Sequence, residues 1–426
     1  MTALTKTLLA TQIRKHRAEI ARWHLKKIKE APPPFYSSVD LRDAGFKIVP
    51  VDSNLFPAGF NNICPEDLRT APPILRAHIE AEMAHLERPT PKKILILPES
   101  HTQNQYYVEN LYYLQQILKK AKFDVRIGWF GARPESTPEG PILLKSATEK
   151  TLEAHPIEIK EGELSVPGFT PELILLNNDF SSGYPKSLDG ISQPIVPSHT
   201  LGWHSRKKSE HFKYYNILAG EFAKMIDIDP WLIQVDTQEV DSVDFNEGTG
   251  VDRVEASVKE ILERTTSAYQ RHAIDHKPFV YIKNNAGTYG MGIMVVHSTD
   301  EVKNMNRRTK NKMSVGKNKM KIQSVAIQEG VPTATLIDRL PAEPVIYLFG
   351  GELIGGFLRT NSEKNAEENL NSPGMVFKML CMTDLRTELE DEQEEPELEL
   401  VYGSIARISA LAAGLELAHN RKRLNS

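Results

Sequence analysis

The most chemically pointed stretch of this chain is Lys283-Asn284-Asn285-Ala286-Gly287-Thr288-Tyr289-Gly290-Met291-Gly292-Ile293. Glycines at 287, 290 and 292 let backbone amides approach an anion such as phosphate without a Cβ in the way. Lys283 comes before the loop, at the end of the strand-like run Pro278–Lys283, and Ile293-Met294-Val295-Val296 reads as the strand that leaves it. In a Walker A loop the lysine follows the glycines and opens a helix, so that arrangement is disfavoured. A protein-kinase loop is the nearest competitor, but its glycine spacing runs the other way and the HRD and DFG partners are missing. The favoured reading is a hairpin whose glycine loop covers phosphates above a strand lysine. The plain alternative is a Gly-rich β-turn with no ligand.

Other elements must bring partners to such a loop. Ser324–Gln328 is strand-like, and Val345–Phe349 and Leu353–Leu358 are apolar runs turned at Gly350-Gly351, a hairpin pattern ending at Arg359. Leu8, Leu9, Ile13, Ile20, Trp23 and Ile28 predict a helix from Thr5 to about Lys29, stopped by Pro32-Pro33-Pro34. Phe46–Val51 reads as a short strand entering the Asn-, Asp-, Pro- and Gly-dense loop Asp52–Asn62, and Ile74–Leu86 as a helix. Strands at Lys93–Leu97, Val125–Phe130 and Leu173–Leu176, with a helix at Tyr106–Lys120, predict a parallel, doubly wound sheet. Ligands bind such sheets beyond the carboxyl ends of the strands, where Glu99, His101, Asn178 and Asp179 fall. Helices are also expected over Asp252–His272 and Tyr402–His419, and there is no internal repeat.

At 426 residues, 25% charged and 40% apolar, the chain is long enough for two to three domains at the usual ~150 residues each. Fifty-two basic against 56 acidic residues give a net charge of −4, which argues against a whole-protein nucleic-acid binder. The run Lys303–Lys321 holds six lysines and two arginines without interleaved aromatics, so a solvated basic segment is preferred to an RNA site. Cys64 and Cys381 lack CxxC spacing; the expectation is no disulfide framework, no cysteine-rich zinc site and a reducing cytoplasm, with Cys64 a small buried hydrophobe. Lys6, Arg14, Lys15 and Arg17 interrupt the N-terminal apolar runs, and no apolar span of about 20 residues is expected anywhere. The expectation is a soluble cytoplasmic protein. Asp384–Glu399, with nine acidic residues and one arginine, reads as a solvated linker.

The order of strand lysine, glycine loop, hinge strand, arginine-ended hairpin and Asn-rich turn resembles the ATP-grasp superfamily. Together with GTYGMGI, QEGVPT, GGELIGGFLR, NLNSPG, DSNLFPAGFNN, ESHTQNQYY, LLNNDFSSGYP and GWHSRKKSEHF, the chain resembles the proteobacterial glutamate–cysteine ligase family over roughly residues 35–420. The resemblance implies an α/β (α+β overall) protein: an ATP-grasp fold with a doubly wound N-terminal and central substrate domain and a helical C-terminal tail. Divided accordingly, 1–90 is a helical and looped region carrying a substrate loop, 91–240 the doubly wound domain, 241–380 the nucleotide-binding module, and 381–426 the acidic linker and last helix. The implied activity is ATP-dependent formation of γ-glutamylcysteine through an acyl phosphate, with ATP and Mg²⁺ as cofactors.

The resemblance also implies roles for residues. Lys283 and Arg359 would neutralise phosphate oxygens, and Gly287, Thr288, Tyr289, Gly290, Met291 and Gly292 would cover ATP. Gln328, Glu329, Gly330 and Val331 would meet adenine and ribose. Asn369 and Asn371 fall in the family's E-x-N metal element, but Asn369 replaces its carboxylate. Neutral oxygens alone hold Mg²⁺ poorly, so Glu343, Glu352, Glu367 or Glu368 is expected to supply charge. Asp52, Asn54, Asn61 and Asn62, with Glu99, His101, Asn178 and Asp179, are candidates for binding an amino acid; local turn chemistry explains the same residues without a ligand. Arg206-Lys207-Lys208, beside His204 and His211, is a weaker candidate for a phosphate or carboxylate contact. The expected partners are glutamate, cysteine and ATP, with neither nucleic acid nor membrane, and monomer and homo-oligomer both stay open. The alternatives are an ATP-grasp ligase joining another carboxylate and amine, or a non-catalytic nucleotide-binding protein, for which Asn369 is the argument.

Overall fold

The structure is a computed structural model that describes residues 2–99, 104–131, 140–180, 183–202, 205–286, 292–314, 322–382 and 397–424. Segments from the two ends of the chain meet in one antiparallel sheet. Strands β1 (Tyr36–Asp43) and β2 (Ile48–Asn54) join β15 (Leu336–Ile337), β16 (Leu340–Phe349), β17 (Glu352–Asn361) and β18 (Met375–Leu380), in the order β18-β17-β16-β1-β2 with β15 against β16. The register of β1 and β2 slips between Asp40 and Leu41, opposite Pro50-Val51-Asp52. Proline has no amide to give the ladder and is tolerated at such a bulge. The bulge leaves the Val51 carbonyl available to a side chain, and Lys283 takes it.

The parallel sheet expected from the strand–helix–strand order is present. It contains β3 (Lys93–Pro98), β4 (Asp124–Trp129), β5 (Ile142–Lys145), β6 (Thr151–Pro156), β9 (Leu173–Asn177) and β10 (Ile195–Val196), ordered β10-β9-β3-β4-β6-β5, with β5 antiparallel. Ile94 and Ile96 enter one core and Leu95 and Leu97 another. Both faces are covered, which is why β3 is a continuous apolar run and not an alternating one. Asn104 starts the crossover helix Gln105–Lys120, its side chain accepting from the Tyr106 amide at 3.0 Å. Strands β7 (Glu158–Lys160) and β8 (Glu163–Ser165) form a separate two-stranded ribbon.

A smaller antiparallel sheet, β11-β14-β12-β13, is built from β11 (Thr237–Asp241), β12 (Val280–Asn284), β13 (Ile293–Val296) and β14 (Ser324–Glu329). Helix Val251–Arg271 covers it, burying Val254, Val258, Ile261, Thr265 and Ala268 at helical spacing.

Three expectations need correction. The N-terminal helix divides at His16 into Thr2–Lys15 and Arg17–Glu30. Cys64 and Cys381 form a disulfide across 317 residues, because β18 ends beside the turn that carries Cys64. The last helix spans Glu397–Leu424, and its Leu398–Asn420 stretch is long and apolar enough to cross a membrane (mean hydropathy 1.3). Within the protein most of that stretch is buried, and Val401, Ile405, Ile408 and Leu411 share a core with Val39, Leu41, Ile346 and Leu348 of the first sheet. The expected acidic linker lies largely outside the described residues.

Candidate active site

One face of the first sheet is a floor on which side chains alternate out of the strands. In register across it, Asp52 stands opposite Asp40, Asp40 opposite Val345 and Val345 opposite Phe357. One row along, Glu343 stands opposite Arg359 and Arg359 opposite Phe377. The floor therefore grades from carboxylates on β1 and β2 to aromatic side chains on β17 and β18.

Two chambers lie over it. The wider, about 120 Å³, is lined by Asp52, Asn54, Asn62 and Arg359, by Glu99 and Asp179 from the ends of the parallel strands, and by an apolar group including Phe56, Phe357, Met375 and Phe377. The narrower, about 30 Å³, lies between the floor and the small sheet and is lined by Arg42, Tyr281, Lys283, Glu343 and Asn369. Asp40, Asp52 and Asn371 line both, so the chambers adjoin.

The junction is a dense ion network. Arg359 Nη1 donates to Asp40 Oδ2 at 2.7 Å and to Glu343 Oε1 at 2.8 Å. Arg42 Nε donates to Glu343 Oε2 at 2.8 Å, and its other nitrogens hold the Ala366 and Glu368 carbonyls. Arg359 Nε is buried without a hydrogen-bond partner among the described residues, so this guanidinium keeps a donor in reserve. Burial opposes the Arg359 charge, but Asp40 and Glu343 outweigh it and raise its pKa. Burial raises the pKa of Asp40, and Glu343 and Asp52 push the same way against Arg359. Asp52 moves down: burial is outweighed by Lys208 and Lys283.

Lys283 is buried on β12 and donates to the Val51 carbonyl and to Gln328 Oε1, both at 2.7 Å. Its hydrogen-bond partners are neutral oxygens, and burial pulls its pKa down to about 7. The next residues position a second lysine. Asn285 bonds the Lys208 and Ser209 amides at the start of helix Lys208–Met225, and Lys208 pairs with Asp52. Gly292, at φ 64°, closes the described end of the loop, where a Cβ would meet Ile322 at 2.8 Å. Gly287, Thr288, Tyr289, Gly290 and Met291 lie outside the described residues, as does His101.

The remaining candidates divide. Asp52, Asn54, Asn62, Glu99 and Asp179 come together on the wide chamber. Asn61 bonds Asn62 Oδ1, and Asn178 accepts from the Phe180 amide; neither lines a chamber, and both act as turn residues. Glu343, Asn369 and Asn371 meet on the narrow chamber, but Glu352 sits at the opposite end of its hairpin, 61% exposed and 3.8 Å from Arg407. Glu367 accepts from His297, and Glu368 from Lys364. Glu329 is buried against Lys47, which donates to both its oxygens at 2.6 and 2.7 Å, so its carboxylate is already engaged. Gly330 lies against the Phe279 ring, where a Cβ would come within 2.2 Å, and Val331 is core. Arg206 and His211 turn inward to Glu416 on the last helix, and Lys207 pairs with Glu239.

Asp40 and Arg42 were not among the candidates. The signal was present in the alternation Ser38, Asp40, Arg42, but its meaning depends on pairing with β16, some 300 residues away. Oxygen donors line the narrow chamber beside its cationic groups, a set that suits a hard cation. Among the described residues, the cluster Cys64, Glu66 and Cys381 brings three ligand atoms within 4.8 Å, but its sulfurs are joined in the disulfide. An open cleft of about 460 Å³ beside helix Val251–Arg271 has charges paired with one another, as in Arg264–Asp236 at 2.6 Å.

Fold and site together define a mixed α/β enzyme with a charged, two-chambered cleft. The GshA family profile, glutamate-cysteine ligase, matches residues 10–417, and the chain belongs to this glutamate-cysteine ligase family. A crystal structure from Methylobacillus flagellatus KT, provisionally named a gamma-glutamylcysteine synthetase, is 35% identical with a TM-score of 0.85, covering 98% of this chain and 96% of that one. A D-alanyl-alanine synthetase A from Vibrio cholerae O1 biovar eltor str. N16961 is far more distant, 12% identical with a TM-score of 0.34 over 75% of this chain and 80% of that one. No curated protein matches the chain.

Proposed function

We propose that the enzyme uses ATP to convert the glutamate γ-carboxylate to an acyl phosphate, which the cysteine amine attacks to give γ-glutamylcysteine, within an ATP-grasp arrangement. The observation that carries this reading is the adjoining of the two chambers at Asp40, Asp52 and Asn371, with Lys283 on one side and Arg359 on the other. The nucleotide enters between the small sheet and the floor, and the amino acids occupy the wide chamber.

Two bond exchanges make up the reaction. A γ-carboxylate oxygen bonds the terminal phosphorus as the bond to ADP breaks. The amine nitrogen then bonds the acyl carbon, the carbon–oxygen bond to phosphate breaks, and the amine proton passes to the departing phosphate. Such chemistry asks for positioning and charge neutralisation. Lys283 and the spare Arg359 donor face the phosphoryl oxygens, and the closed cleft keeps water from the acyl phosphate. Glu99 and Asp179 face the substrate ammonium groups. A chamber of about 30 Å³ is far below the roughly 300–1,000 Å³ of ligand pockets, so nucleotide entry requires the small sheet to part from the floor. That parting exchanges the Val51 carbonyl, the floor partner of Lys283, for phosphate.

Asp52, Asn369 and Asn371 would hold Mg²⁺, joined by Glu343 once phosphate draws Arg359 from its Oε1. The ion usually binds through one or two carboxylates together with substrate phosphates, and there it supplies charge neutralisation. The test is ADP formation by purified protein. It should require glutamate and cysteine together, yield γ-glutamylcysteine by mass spectrometry, and vanish in Lys283→Met. ADP formation indifferent to either amino acid would refute the reading.

A further inference from the structure

We infer that the aromatic end of the wide chamber, formed by Phe56, Phe357, Met375 and Phe377, receives the side chain of the acceptor amino acid and selects a small apolar or thiol-bearing one. This rests on the ligase reading above and adds which wall reads the acceptor.

The floor separates its chemistry in space. Every ionised group named in the Arg359 network lies on β1, β2, β16 or β17, whereas the β18 edge contributes Met375 and Phe377 to the chamber. Phe357 and Phe377 pack edge to face, centroids 5.1 Å apart, and Tyr347 lies 5.6 Å from Phe357. Phe56, buried at 4% exposure, lines the same chamber from the loop after β2.

Arg359 divides the two regions: its neighbours in register are Glu343 on one side and Phe377 on the other. With the activated carboxyl group at Arg359 and the nucleotide on the Lys283 side, the side left for an attacking amine is the one toward β18. Glutamate offers that wall nothing, since its side chain ends in a carboxylate. A thiol does, because sulfur packs well at aromatic edges and needs little hydrogen bonding. A hydroxyl on the same carbon would lose its water without a partner.

The wall is also held in place. Cys381 follows β18 directly and is disulfide-bonded to Cys64, which lies just beyond Asn62 in the chain, while the Met382 amide donates to Asp67 at 3.1 Å. The β18 edge is thereby fixed to the loop that brings Asn62 to the chamber.

The experiment is ADP formation by the full chain, with saturating glutamate and ATP, against cysteine, 2-aminobutyrate, alanine and serine. In 2-aminobutyrate a methyl group replaces the thiol. The wild type should use cysteine and 2-aminobutyrate with comparable kcat/KM, and both at least roughly 10-fold better than alanine or serine, as an apolar pocket discriminates. Phe377→Ser and Met375→Ser should lower kcat/KM for cysteine and 2-aminobutyrate roughly 10-fold and erase their advantage over alanine. The KM for glutamate should stay unchanged, and Phe377→Leu should restore most of the preference. Both positions are incompletely buried, and melting curves would confirm folding. A changed glutamate KM with the acceptor order intact would overturn the assignment, as would an unaltered order in both serine variants. A wild type inactive with glutamate and cysteine would instead overturn the ligase reading, and this inference with it.

Discussion

Arg359 reaches Asp40 through the same Nη1 that reaches Glu343, at 2.7 and 2.8 Å, and so ties β1, β16 and β17 together where the two chambers adjoin. The three side chains are nearly removed from water, with side-chain exposures of 9%, 14% and 3%. Breaking a buried pair by deleting one partner costs about 3–5 kcal/mol, because the other charge stays behind.

Arg359→Ala should therefore lose stability of that order in urea melts. Arg359→Lys should keep more of the fold, since the charge survives, but it loses the planar fork and the spare Nε donor. Turnover in the lysine variant should drop roughly 10²-fold, the scale for removing one donor aimed at developing charge. Steady-state kinetics beside equilibrium unfolding separates the two effects.

Lys283 gives a pH signature. Its pKa falls from 10.5 to about 7 because it is buried. Phosphate would raise that value again, so nucleotide binding should take up a proton and weaken as pH rises above about 7. Calorimetry in buffers of different ionisation enthalpy would detect the uptake, and Lys283→Met should abolish it. Stability follows from the same shift. Between pH 7 and 10.5 the unfolded chain holds the proton that the folded lysine lacks, so the cost of burying the charged lysine, full below pH 7, fades as pH rises through that window. Lys283→Met should accordingly stabilise the apoprotein more at low pH, about 6, than at about 9, as denaturant titration at each pH would show.

Glu416 anchors the last helix to the substrate side of the fold. It accepts from Arg206 at 2.8 Å and bonds His211, and Arg206 also holds the Ser53 carbonyl between Asp52 and Asn54. Burial pushes its pKa up, but Arg206 and His211 outweigh this and bring it down to about 2. A carboxylate lowered from 4.5 to about 2 stabilises the fold fully above 4.5 and loses that contribution as pH falls through 2. Glu416→Gln should flatten the acid limb of the stability profile across that window, as measured by chemical denaturation at each pH.

Cys381→Ser tests the clamp on β18. Opening a cross-link that spans 317 residues should cost about 2–4 kcal/mol, the usual range for a disulfide. Denaturant titration of the variant and of the reduced wild type should agree, and both should raise the KM for the acceptor more than that for glutamate.

Local signals were legible in the sequence. The crossover order of Lys93–Leu176, the hairpin turned at Gly350-Gly351 and the strand lysine before the glycine loop depend on residues close in the chain, and each has its counterpart in the structure. The floor was not legible, because β1 and β2 complete a sheet whose other strands lie some 300 residues on. Asp40 and Arg42 gain their meaning only there. Glu352 misled for a similar reason: hairpin geometry puts it at the turn opposite Phe349, at the far end of β16 from Glu343. The pairing of Glu329 with Lys47 was not legible either, since the two lie 282 residues apart. Cysteine spacing could not foretell the Cys64–Cys381 bond, since chain separation says nothing of where β18 ends.

The most direct test of acyl-phosphate formation uses glutamate labelled with ¹⁸O in its γ-carboxylate, with ATP and cysteine. If the γ-carboxylate is phosphorylated before the amine attacks, one labelled oxygen per turnover must leave with inorganic phosphate, as mass spectrometry of the phosphate would show. γ-Glutamylcysteine formed at full rate with unlabelled phosphate would contradict the acyl phosphate, and with it the phosphoryl-facing roles of Lys283 and Arg359.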